Sequence, residues 1–364
     1  MMPANNPDLA VAQEWFIRLS QWLQQQNLVE TLSPGVTIPK PGTSYLRFCL
    51  FGGNAANEGD EVYNSLVVLQ AHLAEANNEI WTLTDEVVYK EDAVKHYNSL
   101  FDFVEKLTKE SNDVEVPGLP VILHVLEALQ SYKQSAHADH SSMHVDMCAG
   151  AINTLHLHCL KNVNDTLGND HPELALRLAA AFCRTANILP ELEVEAEITR
   201  LLPVDIPDYF ADGRSANNLL YKKLTAIEAL YQLANRYPIL VSEDLPGQLL
   251  RKLLAGLPKN GAPVLGKKCY PATTRDAADL ILVMSRLGEK YSEARDKAIL
   301  PLRWASFYLQ DIKTGTPYAF RFPRMSVVTP APGYDCTRMY LALATYLRSH
   351  YSKLGANMSN VFTD

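Results

Sequence analysis

Histidine is concentrated in one short stretch of this chain of 364 residues. Six of its ten histidines lie between Ser135 and His171, namely His137, His140, His144, His156, His158 and His171. His140 and His144 are spaced i, i+4, so that on a helix both imidazoles lie on one face and can share a metal ion. His156 instead falls among the apolar positions of the same segment, which predicts a core histidine.

Two chemistries fit this cluster. A metal site at His140 and His144 requires a third ligand from another helix, and the sequence does not identify that ligand. Alternatively, a histidine beside the carboxylate of Asp139, at the mouth of a cavity, serves as a general acid or base near neutral pH. The structural alternative is a polar helix entrance whose histidines face water. No cofactor is predicted, and a single metal ion stays open.

The second candidate is the 20-residue segment from Thr314 to Gly333. Loops of this length without secondary structure of their own are commonly lids or binding loops. Its aromatic and basic side chains predict closure over an organic substrate and contact with an anionic group. With the tyrosine that follows, the predicted substrate-binding residues are Tyr318, Phe320, Arg321, Arg324 and Tyr334. Alternatively, the aromatic residues only pack against the rim of the fold and hold the loop in place.

Helices must position these residues, because the apolar residues of the chain recur mainly with a helical period. Apolar residues recur with the 3.6-residue period in twelve segments, and alternation typical of strands is short, as at Tyr45–Leu50 and Ser326–Thr329. The predicted helices are Leu9–Gln25, Asp60–Ala76, Ala93–Leu107, Leu119–Tyr132, His144–Leu160, Pro172–Leu189, Glu191–Leu202, Asn217–Ala234, Leu249–Leu257, Thr274–Leu287, Ser292–Gln310 and Cys336–Tyr351. The sequence therefore predicts an all-α protein forming a single domain over residues 1–364.

Polar clusters recur where several of these helices begin. They are Asp60–Glu61, Asp139–His140, Asp212–Arg214, Arg275–Asp276 and Asp335–Thr337. A recurring period of this kind is typical of repeat architectures and predicts an (α/α)6 toroid, with an irregular bundle or an open α-solenoid as alternatives. Asp276 and Asp335 would then face one cavity, although N-capping explains acidic residues at helix starts as well.

The C-terminal third repeats a recognisable order of residues. Thr274-Arg-Asp-Ala-Ala-Asp begins one helix, Trp304 to Gln310 ends the next, Gly315 follows, and Tyr334-Asp-Cys-Thr begins a third. This order resembles the repeat of the prenyltransferase and squalene/terpene cyclase superfamily. The resemblance implies an (α/α) toroid whose cavity is lined by the N-termini of inner helices, and a small hydrophobic or polyene-like substrate.

The catalytic motifs of that superfamily are not found in this sequence. Neither the Asp-x-Asp-Asp motif of class II cyclases nor the Asp-Asp-x-x-Asp motif of class I synthases occurs. The resemblance therefore concerns the fold more than the chemistry, since one fold hosts many activities.

Composition narrows the choice of partners. Lys and Arg number 33 against 41 Asp and Glu, a net charge of -8, which argues against nucleic acid or anionic membranes as partners. No apolar run approaches the roughly 20 residues of a membrane span. Six scattered cysteines without a CxxC pair are typical of a reduced, cytoplasmic protein.

These observations predict a small-molecule biosynthetic enzyme, a lyase or isomerase similar to terpenoid cyclases. Its acid–base residues in the central cavity would be Asp139, His140, His144, Asp276 and Asp335. Two alternatives stay open. One is a metal-dependent oxygenase or oxidase built on His140 and His144, and the other is a non-catalytic helical-repeat protein that binds a partner on its concave face.

The metal hypothesis makes a direct prediction. If His140 and His144 bind a metal ion, replacing both with Ala removes two ligands, and the metal content per chain of the purified protein should fall to background. Elemental mass spectrometry of both proteins measures this. Unchanged metal content in the double variant would rule the site out.

Overall fold

The computed structural model describes residues 7–25, 58–109, 118–135, 142–163, 167, 171–203, 206, 220–263, 272–313, 315–321, 329–330 and 333–351. These residues form twelve helices and a small sheet. The helices are α1 Pro7–Gln25, α2 Glu58–Thr84, α3 Val87–Lys109, α4 Leu119–Gln134, α5 Ser142–Asn162, α6 Pro172–Ile188, α7 Glu195–Leu201, α8 Leu220–Arg236, α9 Leu245–Ala255, α10 Thr274–Leu287, α11 Ser292–Tyr308 and α12 Gly333–Tyr351. The all-α fold class is confirmed, with one helix for each predicted segment.

The chain divides into two compact units. Unit 1 comprises Met1–Asp102 and Leu257–Asp364, and unit 2 comprises Phe103–Gly256. The prediction of a single domain stays a prediction. No helix within the described ranges is long and apolar enough to cross a membrane.

Within each unit the helices alternate between two layers. In unit 1, α12 packs against α2 and α10, and α1 and α11 lie outside them, in contact with α12 and α10 and with each other. In unit 2, α6 packs against α4 and α8, while α5, α7 and α9 lie against these even-numbered helices. Within each unit, even-numbered helices thus contact one another, an alternation that the predicted (α/α)6 toroid also has.

Helix α2 extends further than the sequence predicts. The apolar period predicts that the helix ends at Ala76, but it continues to Thr84. The reason is that the polar residues after Ala76 are enclosed rather than exposed. Asn77, Asn78 and Glu79 are all at most 7% exposed, and Asn77 and Glu79 pair with Tyr340 and Arg348 of α12.

The segment predicted to be one long loop contains strand structure. β1 (Ala272–Thr273), β2 (Tyr318–Arg321) and β3 (Thr329–Pro330) form an antiparallel sheet in the order β1-β2-β3. Ala272 pairs with Arg321 and Thr273 with Phe320, and β3 pairs with the other edge of β2. The expectation of a loop without secondary structure is therefore wrong. The sheet lies at the start of α10, and α12 begins soon after β3.

Gly315, which follows α11 in the chain, allows the backbone at this point to pack closely against α1. Gly315 has a φ of +73°, and an added Cβ would lie 2.5 Å from Cβ of Arg18. Its carbonyl accepts a hydrogen bond of 2.7 Å from the indole of buried Trp15. The position therefore needs a residue that tolerates a left-handed backbone and has no side chain.

Gly315→Ala should lower the free energy of unfolding by about 2 kcal/mol or more, because it combines backbone strain with a collision. Urea denaturation followed by circular dichroism measures the change. The control is Gly150→Ala on α5, where nothing lies within 4 Å of the added Cβ. That variant should gain roughly 0.5–1 kcal/mol from helix propensity. Equal effects of the two substitutions would contradict the packing argument.

Candidate functional site

The start of α10 is held by a reciprocal pair of hydrogen bonds. Thr273 is the N-cap residue, and its hydroxyl accepts from the backbone N–H of Asp276 at 3.0 Å. The same hydroxyl donates to the Asp276 carboxylate at 2.6 Å. This arrangement is similar to a capping box and explains why an acidic residue stands in the first turn. Asp276 therefore has a structural role at this helix start.

Arg275 and the first turn of α12 meet at an aromatic ring. The guanidinium of Arg275 lies 4.9 Å from the ring centroid of Tyr334, a cation–π contact. The ring of His72, on α2, meets the same tyrosine edge-on, with centroids 5.0 Å apart at 71°. Three helices of unit 1 thus contribute a side chain to one point.

Asp335 lies in the first turn of α12, directly after Tyr334, and is close enough to Arg275, Asp276 and Asp279 for their charges to act on it. Burial raises the pKa of Asp335 to about 7, against an ordinary value of 3.8, and the Arg275 guanidinium partly counteracts the increase. The carboxylates of Asp279 and Asp276 raise the pKa further. A carboxyl group of this kind holds its proton in mildly acidic solution and releases it near neutrality.

A buried ion pair joins α10 to α12 one turn further along each helix. Nε of Arg338 donates to Oδ1 of Asp279 at 2.7 Å, and the two side chains are 13% and 4% exposed. Burial by itself would lower the pKa of Arg338, but the charge and hydrogen bond of the Asp279 carboxylate, together with Tyr334, outweigh that effect and the pKa is raised. The pair fixes the register of the two helices.

Two more ion pairs link α2 to the same helices. Arg286 of α10 lies 3.4 Å from Glu75, and Arg348 of α12 pairs with Glu79. Because Glu75 and Glu79 are each 7% exposed, these carboxylates depend on their arginines for compensation. The three ion pairs hold α2, α10 and α12 in fixed positions behind the site.

Strand β2 is connected to the start of α10 by a hydrogen bond to the backbone of its first residue. The hydroxyl of Thr274, the first residue of α10, donates to the carbonyl of Tyr318. Phe320 and Arg321 lie in β2, opposite Thr273 and Ala272, so the strand follows the start of α10. Their side chains are not described, and Arg324 lies outside the described residues.

The structure brings together part of the predicted site. Asp276, Asp335 and Tyr334 lie within the group around Arg275, and Tyr318 is tied to α10 beside them. Asp139 and His140 lie outside the described residues, and His144 is described only as backbone in α5. Their roles stay predictions. Within the described residues, no group of three or more His, Cys, Asp or Glu side chains could hold a metal ion.

The sequence does not mark three residues of the group, His72, Asp279 and Arg338, as site residues, and it places Arg275 only in the polar cluster at the start of α10. A signal for two of them exists, because Asp279 follows Asp276 by three residues and Arg338 follows Asp335 by three, so each pair shares a helix face. His72 has no such signal, since its position on a distant segment becomes relevant only when α2 packs on α12. His156, predicted as a core residue, is 3% exposed and packs edge-on against Phe182.

The raised pKa of Asp335 predicts a pH-dependent stability. Its pKa is higher in the folded chain than the ordinary 3.8, so this carboxyl stabilises the fold fully below about pH 4, and that contribution is lost as the pH rises to about 7. Asp335→Asn should therefore gain stability relative to the wild type over this range, by about 4 kcal/mol, since each unit of pKa difference corresponds to about 1.4 kcal/mol.

Urea denaturation of both proteins at pH 4.5 and pH 8 measures this difference. Asp102→Asn on α3, which removes an exposed carboxylate of the same unit, is the matched control and should show a difference from the wild type that is the same at both pH values. A constant difference for Asp335→Asn would contradict the assignment.

Neither protein-family models nor curated protein sequences match this chain. Among solved structures, it is similar to a sugar epimerase from a ruminal bacterium, with 12% identity, a TM-score of 0.47, and coverage of 77% of this chain and 87% of that one. It is also similar to the cellobiose 2-epimerase from Spirochaeta thermophila DSM 6192, with 12% identity, a TM-score of 0.47, and coverage of 79% and 86%. This likeness is too weak to assign an activity.

Proposed function

We propose that this chain is an enzyme of the isomerase or lyase class that transfers a proton to or from a polar small molecule at the starts of α10 and α12. The observation that carries the proposal is the Asp335 carboxyl, whose pKa burial raises to about 7 beside Arg275. A general acid or base works best when its pKa is near the working pH. Strongly shifted acids in partly buried positions are also candidates for functional sites.

The groups around Asp335 fit proton removal from a carbon next to a carbonyl. The deprotonated carboxylate would accept the proton, and the electron pair left on carbon would move to the carbonyl oxygen as an enolate. Arg275 would stabilise the negative charge that develops there. Return of the proton to either face, or loss of a β-substituent, completes an isomerisation or an elimination.

The substrate that suits this site is polar. The guanidinium of Arg275 already packs on the ring of Tyr334. That face of the ring therefore cannot stabilise the carbocation that a polyene substrate would form. Carboxylates and arginines surround the ring, and their desolvation by a hydrocarbon would be costly. We therefore propose a substrate with hydroxyl and carbonyl groups in preference to the polyene that the family resemblance implies.

The other hypotheses from the sequence keep their own tests. A metal-dependent oxygenase at His140 and His144 stays a prediction, because neither side chain belongs to the described part of the chain. A non-catalytic binding protein is the outcome that the following experiment would favour if no turnover occurs. The cytoplasmic location is likewise a prediction from the sequence.

Proton exchange with solvent tests the proposed function even where the product has not been identified. The protein is incubated in D₂O at pH 7.5 with reducing sugars, 2-hydroxy acids and 2-keto acids, and separately with a linear polyene alcohol. Proton NMR follows loss of the C–H signal next to the carbonyl. We expect exchange with one class of the polar compounds, because deuterium returns from solvent through Asp335.

Asp335→Asn should slow this exchange by about 10²-fold or more, the usual contribution of a general acid or base. Asp102→Asn, the exposed control on α3, should retain it. Exchange that persists in Asp335→Asn, or turnover of the polyene alone, would overturn the proposal.

A further inference from the structure

We propose that His72 is a positioning residue for the carboxyl group of Asp335: it holds Tyr334 against Arg275 and so fixes where the guanidinium lies relative to that carboxyl. This inference rests on the proposed function and adds a residue from a helix that carries none of the predicted site residues. His72 lies in α2, is 2% exposed, and contacts the first turn of α12 in two ways.

The first contact is a hydrogen bond whose direction can be assigned. Nδ1 of His72 lies 3.0 Å from Oγ1 of Thr337, a residue that is fully buried. The hydroxyl of Thr337 donates its one proton to the backbone carbonyl of Tyr334, at 3.2 Å. Its oxygen can then only accept from the imidazole, so Nδ1 of His72 carries a proton and is the donor. The imidazole is thereby fixed in one orientation.

The second contact is with the ring of Tyr334 itself. The imidazole and that ring form a T-shaped pair with centroids 5.0 Å apart, while the Arg275 guanidinium lies 4.9 Å from the Tyr334 centroid. Tyr334 is half-buried, so without a neighbour its ring could rotate towards solvent. His72 therefore restricts the ring on which the guanidinium packs. A chain of contacts runs from α2 through Tyr334 to Arg275.

The position of Arg275 matters because its guanidinium lowers the pKa of Asp335, which the other neighbouring groups raise. Burial and the carboxylates of Asp279 and Asp276 all raise the pKa of Asp335, whereas Arg275 lowers it. Among the described residues, the charged or titratable groups of the three helices that meet here include Arg275, Asp276, Asp279 and Arg286 on α10, Tyr334 and Arg338 on α12, and His72 and Glu75 on α2. Displacement of the guanidinium should therefore raise the pKa of Asp335 further.

Direct titration of Asp335 tests the inference without any substrate. The full chain is labelled with ¹³C at the aspartate carboxyl carbons, and NMR spectra are recorded from pH 5 to pH 9, with the Asp335 signal assigned by its loss in Asp335→Asn. His72→Asn keeps an N–H donor without the aromatic ring, and His72→Phe keeps a ring without the donor. We expect each to raise the pKa of Asp335 by about one unit, the lower end of the effect of a neighbouring opposite charge.

A double-mutant cycle separates positioning from a direct charge effect. Arg275→Gln alone should raise the pKa of Asp335, and adding His72→Asn to it should raise it no further, because the guanidinium that His72 positions is already gone. His350→Asn, at the other end of α12, is the control for removal of a histidine and should leave the titration of Asp335 unchanged.

A second pair of variants keeps the test available if the His72 variants do not fold. Thr337→Val removes the acceptor of the imidazole and should raise the pKa of Asp335, whereas Thr337→Ser keeps the hydroxyl and should retain the wild-type titration. A merely structural role would lower the unfolding temperature of Thr337→Val without moving this pKa.

The outcomes distinguish this inference from the proposed function. If Asp335 titrates near pH 7 and the His72 and Thr337 variants leave its pKa unchanged, His72 is not a positioning residue and the proposed function stands. The same conclusion follows if the pKa shifts caused by Arg275→Gln and His72→Asn add in the double variant. If Asp335 of the wild type titrates near pH 4, the carboxyl is not an acid–base group for neutral pH, and both proposals fail.

Discussion

Unit 1 depends on the enclosure of α2, a helix that carries polar side chains on a surface without access to water. A buried polar group without a partner costs about 1–3 kcal/mol, and a buried charge costs more. The carboxylates of Glu75 and Glu79 are compensated by arginines of α10 and α12, and Asn77 accepts from the hydroxyl of Tyr340 at 2.8 Å. Because each partner is on a particular turn of a particular helix, these pairs select one register.

That register creates the candidate site. The contacts between α2 and α12, and those between α10 and α12, advance in the same direction along each helix, so the helices of each pair run parallel. Asp279 and Arg338 fix α10 against α12 at 2.7 Å, and this places Arg275 over Tyr334 one turn earlier. Asp335 thereby lies near one cation, Arg275, and two carboxylates, Asp276 and Asp279. Its raised pKa is a consequence of packing, since the residue type alone gives an ordinary acid.

Local patterns in the sequence are sufficient to predict where the helices lie, but they do not predict where each helix ends or which helices it packs against. Apolar periodicity located all twelve segments, because the residues that face a core recur every 3.6 positions whichever surface covers them. The same criterion ended α2 at Ala76, since it treats a run of Asn and Glu as solvent-facing. In the segment 314–333 it found no strand longer than a few residues, because β2 and β3 are stabilised by pairing with each other and with β1.

The sequence by itself determined the all-α class, the positions of the helices, and the acidic residues at the starts of α10 and α12, because these follow from period and capping within one segment. Tertiary structure alone decided which of those residues became chemically distinct. Asp276 is held by Thr273 in a cap, whereas Asp335 loses solvent on packing and lies near charged groups of α10. A pKa depends on burial and on charges brought from distant segments, and His72 acquires its place only when two helices that are remote in sequence pack together.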